Sequence, residues 1–112
     1  MTQPRAELSR VVCTGGPGAD DAAVALGDGP VRRRLEASLR ALALIRGPDS
    51  STCPSDGARA VGGDDWRALM DDARTIAREL ARAGDVVITQ RGTVLDPDAD
   101  WRGPVRIRTT SH

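Results

Sequence analysis

The chain contains no lysine, no phenylalanine and no tyrosine. It has one histidine, two cysteines and two tryptophans. Without lysine there is no phosphate-loop lysine, no Schiff-base amine and no lysine general base. Two tryptophans cannot build the stacking platform of a single-strand-binding or RNA-recognition sheet. Cys13 and Cys53 do not make a disulfide framework, and their spacing matches no zinc pattern. The lone His112 at the end of the sequence adds too few ligands for a metal site. The longest apolar runs, residues 22–26 and 41–45, fall far short of the ~20 residues of a membrane span. No continuous apolar stretch near the start reads as a secretory signal. These absences give the expectation of a cytoplasmic protein with reduced thiols, no cofactor and no metal.

What the sequence does have is arginine. All 16 basic residues are arginine and they balance 16 acids, so net charge is zero. A neutral molecule is no long-range magnet for nucleic acid or anionic membrane. Its 112 residues allow one domain.

Residues 1–29 are rich in Gly, Pro and Asp, with small apolar residues and no sustained period. They read as a flexible tail, with a transient helix left open near Asp20 to Leu26, and residues 30–112 as the folded domain. From Pro30 the residues Val31, Leu35, Leu39, Leu42 and Ile45 recur at spacings of three and four, which predicts a helix ending at Gly47-Pro48. Pro54 opens a second helix to about Val61, with Thr52 or Cys53 as cap and Asp56 in its first turn. Gly57 inside it costs about 1 kcal/mol relative to alanine. Asp64 or Asp65 caps a third helix over 65–83, whose buried face is expected to carry Trp66, Leu69, Met70, Ala73, Ile76, Ala77, Leu80 and Ala81. Gly84 stops it. The period then becomes two. Residues 86–90 and 93–95 read as a hairpin turning at Arg91-Gly92, and 105–108 as a last strand.

Two helices joined by a Gly-containing turn and followed by a hairpin make a winged helix-turn-helix, with the first helix closing a three-helix core. A βαβ unit does not fit, since no strand precedes the helices. The fold class expected is therefore mainly α, with a C-terminal wing and a disordered N-terminal tail.

Cys53-Pro54-Ser55, Asp65-Trp66-Arg67-x-Leu69-Met70, Thr89-Gln90-x-Gly92 and Arg102-Gly103-Pro104-x-Arg106-x-Arg108 follow in close order. With that set, residues 31–108 resemble the small bacterial family catalogued as domain of unknown function 3253. The resemblance implies a winged-helix-like domain and no established activity.

Catalytic patterns are weak. Cys53 lies before a helix N-terminus but lacks a base, Asp64-Asp65 read as caps, and Gly15-Gly16-Pro17-Gly18 has neither the preceding strand nor the lysine of a phosphate loop. The chain reads as a non-enzyme. Its best functional signal is arginine at helical spacing: Arg67, Arg74, Arg78 and Arg82, expected to face solvent together. In helix-turn-helix proteins this helix enters the major groove of DNA. Arg67 and Arg74 are then candidates for base edges, and Arg59, Arg78 and Arg91 for phosphates. The leading expectation is double-stranded DNA binding through the third helix and the wing. The alternative is a protein-interaction adaptor that uses an exposed Trp101; the other possibility for Trp101 is that it folds back over the hairpin.

Overall fold

The computed structural model describes residues 3–47 and 49–110. Five α-helices precede a small antiparallel sheet: α1 Pro4–Thr14, α2 Ala19–Leu26, α3 Val31–Arg46, α4 Pro54–Gly62 and α5 Met70–Arg82. A 3-10 segment, Gly63–Leu69, joins α4 to α5. The strands are β1 Val86–Gln90, β2 Thr93–Leu95 and β3 Arg106–Thr109, in the spatial order β2-β1-β3. Helices α3, α4 and α5 with this sheet form a winged-helix-like domain. Pro48 and His112 lie outside the described residues, so helix termination at Pro48 and any role of His112 do as well.

The main core lies between α3, α4, α5 and one face of the sheet. Leu35, Leu39, Ala58, Ile76, Leu80, Ile88 and Ile107 are all buried in it. The pleat explains the sheet's contribution. Ile88 sits opposite Ile107, and Val86 opposite Thr109, on the core-facing side. Val87, Thr89, Arg106 and Arg108 alternate to the other face. A single bridge from Thr52 to Ile107 ties the α3–α4 connection to the β3 edge. Arg91 and Gly92 both have positive φ, 53° and 82°. That combination closes a two-residue hairpin with the twist its strands need.

Gly57 is a helix contact rather than a weak point. A Cβ there would lie 2.5 Å from Leu39 Cδ2 and 2.9 Å from Leu39 Cγ. Its missing side chain lets α4 approach α3, and the packing gained offsets the propensity lost.

Two expectations are corrected. Residues 4–26 are not a flexible tail but two helices packed against α3. Leu8, Val11, Ala22 and Ala25 meet Ala37, Ala41, Leu42 and Ala60 in a second core. Arg5 donates to the Ala60 carbonyl at 2.9 Å, and Arg34 to that of Ala25 at 2.9 Å. Alanine carries little apolar surface, so composition undervalued this layer; small side chains let helices approach closely and bury backbone as well. The second correction concerns residues 65–83, which are not one continuous α-helix. The first turns are 3-10, with a break at Asp65 (φ −94°, ψ 16°). Trp66 thereby leaves the α5 phase and is only partly buried against the core. The fully enclosed tryptophan is Trp101, 7% exposed.

Candidate functional site: an arginine-lined groove beside the wing

The arginines at 74, 78 and 82 share one face of α5, as their spacing requires. That face does not meet solvent freely. The loop between β2 and β3 folds back over it. Arg74 donates to the carbonyls of Gly103 (3.2 Å) and Trp101 (3.3 Å). Arg78 donates to Pro97 and Ala99 carbonyls, with its guanidinium 3.9 Å from the Trp101 ring centroid. Arg82 pairs with Asp98 at 2.6 Å. The Trp101 indole N–H closes the loop on the Asp96 carbonyl at 3.0 Å. A loop without its own ladder must satisfy its carbonyls somewhere, and these guanidinium forks supply the donors. The outward-facing stripe expected from sequence is therefore corrected at Arg74 and Arg78, which are half-buried under the wing. Of the two places left open for Trp101, the exposed one is excluded, since its ring is buried and anchors the wing.

Arg59, Arg67 and Arg91 are exposed. The first two lie together: Arg59 Cζ is 4.4 Å and Arg67 Cζ 4.6 Å from the centroid of the Trp66 ring. Each contact is a cation–π interaction. Neither arginine has a carboxylate within ion-pairing distance among the described residues. Arg91 stands apart, at the tip of the β1–β2 turn.

Next to Trp66 the start of α4, the start of α5 and the strand β3 enclose a groove of about 570 Å³. Its apolar wall is Pro54, Trp66, Met70, Pro104 and Val105. Arg67, Arg74 and Arg106 supply its charge, and among the described residues no carboxylate lines it. Arg106 is held by Ser51, through Nε to the hydroxyl (2.9 Å) and Nη2 to the carbonyl (2.9 Å). Cys53 also lines the groove, its Sγ 2.9 Å from Ser55 Oγ.

Sequence reading missed Arg106 as a site residue, because β-alternation shows only that it faces away from the core. It missed the groove altogether, because the walls come from segments some 50 positions apart. Among the described residues, no group of three or more His, Cys, Asp or Glu side chains is placed to hold a metal ion. No helix among them is long and apolar enough to cross a membrane.

The family model described as "protein of unknown function (DUF3253)" matches residues 28–110. The chain belongs to this family. The DUF3253 match takes in α3 through β3, and with them the groove, Trp66 and the wing; α1 and α2 precede it. The search of curated proteins finds no match.

Proposed function

We propose that this DUF3253 domain is a binding module for double-stranded DNA, contacting it with Arg59 and Arg67 beside the second helix of the helix-turn-helix and with Arg91 on the wing. The observation that carries the reading is the pair of guanidinium groups over one tryptophan ring. Both are full positive charges on one ring, and among the described residues no carboxylate neutralises either. A phosphate would. Arginine is the residue best suited to that role, with a planar fork matched to phosphate oxygens. The winged-helix arrangement supports the reading only as analogy, since the fold serves several uses.

In this reading Arg74 and Arg78 position the wing against α5 rather than read bases. Neutral net charge keeps the affinity modest and strongly salt-dependent. Log affinity should fall with log salt at roughly −0.9 per phosphate contact. The test is fluorescence anisotropy of a mixed-sequence duplex at low salt. Wild type is expected to bind, and Arg59→Ala/Arg91→Ala to bind at least about tenfold more weakly with a shallower salt slope. Absence of binding by wild type, or equal binding by the double variant, rejects the reading.

A further inference from the structure

The groove beside Trp66 differs chemically from a phosphate-contacting surface. Most of its lining is apolar, formed by a tryptophan, a methionine, two prolines and a valine. A sugar-phosphate backbone has no use for such a wall. Its volume of about 570 Å³ suits a small organic molecule.

The charge in the groove is one-sided. Elsewhere Arg32, Arg40, Arg46 and Arg82 each pair with at least one carboxylate. Arg67, Arg74 and Arg106 do not, among the described residues. They are oriented instead by neutral partners: the Trp66 ring, the carbonyls of Trp101 and Gly103, and Ser51. Those contacts fix the side chains without neutralising them. A guanidinium has five N–H donors, so Arg74 and Arg106 have donors beyond those that hold them in place. Three fixed cations around an apolar cleft favour an occupant with a compact negative head and a flat apolar body.

We propose that the groove is a binding site for a small amphipathic anion, an aromatic or alicyclic carboxylate. The oxyanion sits among Arg67, Arg74 and Arg106, and the ring lies against Trp66, Met70 and Val105. The proposal shares Arg67 with the DNA reading but is argued from the groove lining. Arg59 and Arg91, the pair varied in the duplex experiment, do not line it, so either idea can fail without the other.

The test is calorimetric titration of the full chain with 2-naphthoate, with 2-naphthamide and inorganic phosphate as comparison probes. The carboxylate is expected to bind saturably. The neutral amide should bind about tenfold more weakly for want of charge-assisted hydrogen bonds. Phosphate, which lacks the apolar body, should also bind about tenfold more weakly. Arg67→Gln/Arg106→Gln should bring naphthoate down to the level of the amide. Met70→Trp, which fills the cleft, should abolish binding of both aromatic probes. If Met70→Trp fails to fold by circular dichroism, the arginine double variant decides. No saturable binding of naphthoate, equal affinity for naphthoate and naphthamide, or unchanged binding by the arginine double variant each overturns the proposal.

Discussion

Arg46 and Arg67 hold the same chemical group in opposite ways. Arg46, at the end of α3, is surrounded by acid. It bonds to Glu7 at 2.8 Å and Asp56 at 2.9 Å, and also to the Ser51 carbonyl. All three charged side chains of that cluster are at most one-fifth exposed. Its charge is spent on joining α1, α3 and α4. Arg67 lies over an aromatic ring and has no ion pair among the described residues, so its charge is still available to an incoming anion. The same division runs through the molecule. On the α3 side, Arg40 meets Asp21, Glu36 and Asp85, and Arg32 meets Asp72 and Glu79. Around the groove itself, carbonyls, a hydroxyl and a ring hold Arg67, Arg74 and Arg106 in place of carboxylates. A net charge of zero thus conceals an uneven distribution, with ion-paired arginines gathered on α3 and three without ion pairs among the described residues lining the cleft.

The sharpest way to break this comparison is Arg46→Met. Removing the cation strands two half-buried carboxylates, at a cost of about 3 kcal/mol. That is a large share of the stability of a small domain. Urea denaturation measures it, and a midpoint near wild type would mean that the cluster holds nothing together.

Leu8→Ala probes the same side through packing. Leu8, on α1, is fully buried, and truncation should cost about 2–3 kcal/mol, toward the lower part of the usual range because a helix near the edge can settle inward. Deleting residues 1–29 should likewise lower the melting temperature by several degrees. An unchanged melting curve in both would show that α1 and α2 do not contribute to the fold's stability.

Acid should act on the paired side as well. Burial pushes the Asp56 carboxyl up, but hydrogen bonds from Thr52 and Arg46, with the Arg46 charge, more than reverse this and hold it below its ordinary value. A depressed folded pKa contributes stability that is complete above the unfolded value near 3.8 and is lost as pH falls through the lower folded value. Asp21 works in the other direction. Its carboxyl is raised by burial despite Arg40, so its contribution is present below the unfolded value, fades as pH rises, and blunts the acid loss. The stability of wild type between about pH 5 and about pH 2 should therefore fall more steeply than that of Arg46→Met. Equal slopes would separate Asp56 from Arg46.

The smallest effect belongs to the groove. Arg67→Gln should change stability by no more than about 0.5 kcal/mol, since the side chain is exposed and makes no ion pair. A loss well above that would make Arg67 a structural residue and remove the contrast with Arg46.

Much of the architecture was legible in residue spacing. The α3 stripe, the Pro54 start of α4 and the Arg91-Gly92 turn are local signals, each set by side-chain periodicity or by a backbone preference over a few residues. The α1–α2 layer was not legible as a packed layer, because most of its core residues are alanines whose worth depends on how closely another helix approaches. The places of the two tryptophans were not legible for a similar reason. A 3-10 segment of seven residues turned Trp66 out of phase, and nothing near Trp101 in sequence indicates that Arg78 lies beneath it.

The sequence by itself determined the order of helices and strands from α3 to β3, the winged-helix topology and the placing of three arginines on one face of α5, because those follow from short-range geometry. Only the tertiary structure decided what each arginine meets. Arg74, Arg78 and Arg82 were equivalent by spacing, yet two hold carbonyls of a loop 20 to 30 residues away and one an aspartate there. A guanidinium reaches its partner through space, and which charges remain unpaired is settled only when distant segments are brought together.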